Sequence, residues 1–177
     1  MDKIIFRFDD VCINSDMELH NKMTDYLFEK FPDCKVMWAI SPLVHDECGQ
    51  RVYPKIFNAF SDIHAFFRPD SCGIPELHPK VKVASHGLIH IDHRLLTKEQ
   101  QEMSILISCS LLKAKVFVPP FNKYNQHTQD ICYENNIELI RFETGWNCME
   151  YNICGGKNIY LHAREFTFES FKKWFES

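Results

Sequence analysis

The chain has 177 residues, a formal net charge of −4, 45% hydrophobic residues and fifteen phenylalanines, which is enough apolar material for one globular domain over residues 1–177. The mild acidity leaves no basic footprint for nucleic acid, and no run of 18 apolar residues is present to span a membrane. The opening MDKIIFRFDD lacks the apolar core of a signal peptide and the eight cysteines form no C-x-x-C pair, so a reduced, cytoplasmic protein is expected, its cysteines packing as small core residues.

KIIFRF (3–8) reads as a buried strand ending in Asp9-Asp10. Ser15-Asp16-Met17-Glu18 has the form of a capping box, and the apolar period after it predicts a helix to about Phe31, where Pro32-Asp33 breaks it. KVMWAI (35–40) is a second strand, stopped at Pro42. A helix from about Tyr53 to Phe66 is predicted next, followed by a loop containing Pro and Gly. VKVAS (81–85) is a third strand and runs into HGLIHIDH, three histidines and an aspartate within eight residues. Thr97-Lys98-Glu99-Gln100 is a second capping box and opens a helix to about Lys113. KVFV (115–118) is a strand cut by Pro119-Pro120. A helix over 126–135 then leads to strand ELIRF (138–142). NIYLH (158–162) is a later strand, and FTFESFKKWFE closes the chain as an amphipathic helix. Strands alternate with helices nearly throughout, the pattern of βαβ units in a parallel sheet or barrel.

Asp9-Asp10, His86, His90, Pro119-Pro120-Phe121, Glu143 and His162 all fall at C-terminal ends of predicted strands, the edge on which parallel α/β folds assemble their sites. His86 and His90 are spaced i, i+4, so both rings reach one side. Two imidazoles and one carboxylate make a zinc triad with an open position; the plain alternative is a wet loop. Of two carboxylates at a strand end, one is suited to bind a cation and the other to act as general base, against the plain reading of a turn cap beside a solvated acid. His162 is either a satisfied core histidine or a general acid.

These segments resemble, in order, the motifs of the polysaccharide deacetylases of carbohydrate esterase family 4. FRFDD resembles the motif ending in two aspartates, HGLIH the paired-histidine motif, FVPPFN the Arg-x-Pro-aromatic segment and IYLH the closing strand with its histidine; RFETGW, with Trp146 as its aromatic, is the loosest match. The resemblance spans residues 6 to 162. It implies that Asp9 is the catalytic base, that Asp10, His86 and His90 hold the metal, that Phe121 offers a backbone N–H to the oxyanion, and that His162 is the general acid. Asp92 and His93 are left to support the ligands from behind or to face solvent, with facing solvent or capping the favoured reading for His93. Two positions depart from the pattern. Gly87 stands where a Ser or Thr is usual, and Val118 where an arginine pairs with the catalytic aspartate. Arg141 and Glu143, i, i+2 on one strand, are candidates for a replacement cation and for a carboxylate orienting His162; a surface ion pair is the alternative.

The expected fold is an irregular or incomplete (β/α) barrel of six to seven mostly parallel strands, polysaccharide-deacetylase-like. The expected function is metal-dependent hydrolysis of an N-acyl group, N-acetyl foremost, on an amino sugar or small glycan. The alternative is a non-catalytic, metal-retaining glycan-binding or structural barrel, favoured by Val118 and opposed by Asp9 and His162. A metal phosphoesterase lacks an Arg/Lys phosphate clamp among these motifs. The cofactor is one divalent metal ion, zinc by its ligands, with cobalt, nickel or iron fitting the same donors. The partner is a small-molecule or oligosaccharide substrate, with no nucleic acid and no membrane. Trp38, Trp146 and Tyr124 are candidates for stacking on sugar faces, or else core aromatics.

Overall fold

The computed structural model describes residues 4–12, 14–42, 75–140, 151–153 and 156–176. The predicted helix at 53–66 lies outside the described residues, as do Arg141, Glu143 and Trp146. Among the described residues seven strands form one sheet: β1 (Ile5–Val11), β2 (Lys35–Ile40), β3 (Lys82–Ser85), β4 (Val116–Phe117), β5 (Glu138–Leu139), β6 (Tyr151–Ile153) and β7 (Gly156–Leu161), in the order β5-β4-β3-β2-β1-β7-β6. All neighbours pair in parallel except β6, which runs antiparallel to β7 with Ile153 opposite Gly156. The sheet does not close among the described residues, so the mostly parallel α/β expectation holds in its incomplete form. β6 had no sequence prediction; a three-residue strand is too short to carry a period.

The helices are α1 (Met17–Lys30), α2 (Lys98–Leu112), α3 (Gln126–Glu134) and α4 (Phe168–Glu176). At α1 the cap is Asp16, one residue later than expected: its carboxylate accepts from the Leu19 N–H at 2.9 Å, while the Ser15 hydroxyl accepts from Cys12 N–H at 2.9 Å. The box before α2 forms as read, with Thr97 and Gln100 each satisfying the other's backbone N–H. A second box, Asn125 with Thr128, starts α3.

Strand alternation sorts β1 and β2 onto two faces. Phe6, Phe8, Val36, Trp38 and Ile40 pack with Met23 and Leu27 of α1 and Phe171 of α4 in the main core. Met37, Ala39, Ala84, Val116, Val118 and Ile140 make a second cluster from the alternate positions. Apolar packing on both faces explains the near-continuous hydrophobic runs of the central strands. Trp38 is completely buried and its indole N–H donates to the Thr24 hydroxyl at 3.3 Å, so truncating it to Ala removes on the order of 3–5 kcal/mol. That corrects its candidacy as a sugar-stacking residue: its neighbours Phe8 and Ile40 share its face and leave the ring no access to solvent. Cys34 and Cys109 are buried free thiols, with burial pushing Cys109 up to about 11, in keeping with small core residues. Among the described residues, no helix is long and apolar enough to cross a membrane.

Candidate metal centre and active site

The site begins with an irregularity in β1. Phe8 is in register with Trp38 and Val11 with Ile40, so β1 places one residue more than β2 between these rungs. Such a bulge re-aims side chains at a strand end. Asp10 takes it up with φ of 60°, a left-handed conformation that aspartate tolerates better than most residues. Asp9 stays on the face of Arg7, two residues earlier. The Arg7 Nε–H donates to Asp9 Oδ1 at 2.6 Å and the Nη2–H to Oδ2 at 2.5 Å, both side chains being buried. The Arg7 guanidinium also lies 5.4 Å from the ring centre of Tyr160 on β7.

The histidine loop after β3 is held from three sides. Its first backbone N–H, that of His86, donates to Ile40 C=O at 2.8 Å, and the Ser41 hydroxyl donates to His86 C=O at 3.0 Å. Gly87 follows with φ of +80°, where a Cβ would stand 2.9 Å from the Ile89 carbonyl oxygen and 3.0 Å from His93 Cε1. Glycine is therefore required here, which accounts for the missing Ser or Thr. The steadying hydroxyls come from elsewhere: Ser85 accepts from Gly87 N–H at 3.2 Å and Ser104 of α2 accepts from Leu88 N–H at 3.1 Å. Ser108, one turn after Ser104, meets Ser85 at 2.6 Å. Nothing in the sequence marked these serines, although Ser104 and Ser108 share one helix face.

His86, His90 and Asp10 present ligand atoms that all lie within 4.8 Å of one another. Asp10 Oδ1 is 2.9 Å from His90 Nε2 and 3.3 Å from His86 Nε2. The Nδ1 of His86 sits 2.8 Å from the Val118 carbonyl oxygen; donating there leaves Nε2 of the neutral ring as a lone pair aimed at the carboxylate. Oδ1 is buried and faces these two imidazole nitrogens. Positive charge belongs between these three groups, either a proton on an imidazole or a cation, and a 2-His-1-carboxylate donor set suits a divalent metal. Burial opposes ionisation of Asp10, but His86 and His90 outweigh it through hydrogen bonding and charge and hold the carboxyl well below the usual carboxylate range. The ligand is thus available in its anionic form.

His162 follows β7 on the same edge, with Nε2 3.6 Å from Asp10 Oδ2 and Nδ1 3.3 Å from Glu165 Oε1. Arg164, in the 3-10 turn Ala163–Glu165, reaches the same Oδ2 at 2.9 Å. Phe121 has φ of 56° in the turn after Pro119-Pro120, and its half-exposed ring packs on His90 with centroids 4.2 Å apart. The fold therefore brings Asp10, His86, His90, His162 and Phe121 together, with Asp9 adjoining. Other residues fall elsewhere. Asp92 caps the 3-10 turn His93–Leu95 and pairs with Arg94 at 2.8 Å and Lys123 at 3.8 Å. His93 is fully buried against Phe117 and within 3.2 Å of Ser104 Oγ, which corrects its expected solvent-facing or capping position; Gly87 makes room for its ring. The Val118 side chain packs in the second apolar cluster while its carbonyl holds His86. Among the described residues the cation on Asp9 is Arg7; the expected Arg141 lies outside the described residues. Sequence reading missed Arg7, Arg164 and Glu165. Arg7 was open to the same i, i+2 logic that singled out Arg141 and Glu143.

Fold and site together define an α/β protein whose mostly parallel sheet carries an Asp-His-His cluster at its C-terminal edge. The chain matches no family model and no curated protein, but its fold matches solved structures. One is a peptidoglycan N-acetylglucosamine deacetylase in complex with 4-naphthalen-1-yl-N-oxidanyl-benzamide, with TM-score 0.59, 12% identity, and coverage of 97% of this chain and 78% of the other. A family 4 carbohydrate esterase from Streptomyces lividans in complex with acetate gives TM-score 0.55 at 12% identity, over 92% of this chain and 79% of the other. A family 4 pseudoenzyme from Bacillus anthracis gives 0.60 at 12% identity, over 99% of this chain and 59% of the other. The architecture is that of the polysaccharide-deacetylase-like folds.

Proposed function

We propose that this protein is a metal-dependent hydrolase that removes an N-acyl group, N-acetyl foremost, from an amino sugar or small glycan. The observation that carries this reading is the Asp10-His86-His90 cluster, with ligand atoms within 4.8 Å of one another, set beside two further titratable groups, Asp9 and His162. The cation is proposed to be zinc, held by those three side chains, and when bound it supplies Lewis acidity toward a water and an acyl carbonyl. Asp9 takes a proton from the attacking water as its oxygen bonds to the amide carbon. The Phe121 N–H donates to the oxyanion, a contribution of about 3 kcal/mol for a preorganised donor. His162 then gives a proton to the nitrogen as the C–N bond breaks, releasing carboxylate and amine. Glu165, 3.3 Å from His162 Nδ1, orients that ring for the transfer. The matched deacetylase acts on N-acetylglucosamine units of peptidoglycan; a soluble sugar, oligosaccharide or precursor is the class proposed for this chain.

One matched fold belongs to a pseudoenzyme, so a metal-retaining glycan binder is the second reading. Asp9 and His162 weigh against it, because a binder uses neither a base nor an acid. The test is acetate release from N-acetylated sugars by protein loaded with zinc, cobalt or nickel. Asp9→Asn is expected to keep its metal and lose about 10²–10⁴ of the rate. Metal bound without acyl release from any sugar tried selects the binder.

A further inference from the structure

We propose that Arg7 is the positioning residue for the Asp9 carboxylate, clamping it at the mouth of the site from within the same strand. The proposal rests on the reading of Asp9 as the base and adds a residue that motif comparison does not supply. Arg7 and Asp9 are i, i+2 on β1 and share a face. Their two contacts, 2.6 and 2.5 Å, engage both carboxylate oxygens with two guanidinium N–H groups, so the plane of the carboxylate is fixed as well as its position. Each oxygen keeps lone-pair capacity to accept a proton. Arg7 is itself constrained by the centre of the sheet: its rung partners are Met37 on β2 and Tyr160 on β7, and the Tyr160 ring lies 5.4 Å from the guanidinium.

A purely structural role explains the pair poorly. A buried ion pair is often no more stabilising than apolar residues of similar size. Met37, Ala39, Ala84, Val116 and Val118 make a buried apolar cluster on this side of the sheet, with the half-exposed Lys82–Glu138 pair farther from the site. The Arg7–Asp9 pair interrupts that surface beside Asp10, where a fixed carboxylate is chemically useful. Its exposures of 6% and 5% also distinguish it from a loose surface pair, which holds no geometry.

The test is a cycle of Arg7→Met, Asp9→Asn and the double variant, with Arg7→Lys beside it, reading metal content, kcat, KM and the urea midpoint. Arg7→Lys keeps the charge but not the planar fork; it is expected to lower kcat by about 100-fold, the scale of a misplaced reacting group, with KM and metal content unchanged. Arg7→Met leaves the Asp9 charge buried alone and lowers the urea midpoint, whereas the double variant recovers it. In the Asp9→Asn background, Arg7→Met lowers kcat no further. Wild-type kcat in Arg7→Lys, or multiplied losses in the double variant, overturns the proposal. If the wild type releases no acyl group from any sugar, the hydrolase reading fails on its own; the unfolding cycle still decides the clamp, and additive midpoints refute it.

Discussion

His93 offers a prediction whose size follows from its surroundings. The ring is fully buried, and burial, reinforced by the nearby His86, pushes its pKa down from 6.5 to about 3. A depressed value means that the folded state binds the proton less well than the unfolded chain does. The associated stability is fully present above pH 6.5 and is lost as the pH falls from 6.5 toward 3. Each pH unit in that window costs about 1.4 kcal/mol, so going from pH 7 to pH 5 removes about 2 kcal/mol through this residue alone. The assay is urea unfolding at closely spaced pH values from 7.5 to 4.5 in chelator-treated protein, for wild type and His93→Gln. The variant is expected to be less stable at pH 7 and to have a flatter pH dependence, its curve approaching that of the wild type on acidification. Asp10 does not interfere, because a lowered carboxyl pKa contributes stability that is lost only below its unfolded value of 3.8. Parallel curves for the two proteins between pH 7 and 5 would falsify the assignment of His93 as a buried neutral ring.

Further outcomes are expected at the loop and the metal ligands. Gly87→Ala forces a Cβ into a left-handed position 2.9 Å from a backbone oxygen; the conformation alone costs about 1–2 kcal/mol, roughly 2–8 °C in Tm, and a calorimetric scan showing no change refutes the steric argument. Ser104→Ala removes the acceptor of the buried Leu88 N–H and the partner of His93, for a loss of about 1–3 kcal/mol read as a lower urea midpoint. Elemental analysis of the His86→Ala, His90→Ala double variant should find its metal lost relative to one ion per chain in the wild type; full stoichiometry would remove the ligand assignment.

Much of the frame was legible because its signals are local. Alternation in IIFRFD separates Phe6 and Phe8 from Arg7 and Asp9 without reference to the rest of the chain. The Thr97–Gln100 box needs only residues three apart, and it forms as read. The i, i+4 histidines likewise announced a shared side. Where two local readings compete, the sequence is less decisive. Ser15 and Asp16 both have cap chemistry, and the choice fell to Asp16 because the Ser15 hydroxyl accepts from the Cys12 N–H.

What the sequence determined by itself was therefore the strand-helix alternation, the residues at strand ends and the donor types offered to a cation. Burial and partnership were decided by the tertiary structure. Trp38 and His93 carry polar atoms that suit a site as well as a core, and their inward placement follows from what packs over them, Thr24 of α1 in one case and Ser104 of α2 in the other. The same is true of the charges. Arg164 and Glu165 acquire meaning only because β7 lies beside β1 and delivers the turn after His162 to Asp10. Arg7 meets both Asp9 oxygens on a face it shares with Met37 of β2 and Tyr160 of β7, its rung partners from segments far away in the chain. A chain's periodicity is written within a few residues, whereas the environment of a charge depends on segments far apart in sequence, and only folding brings those into contact.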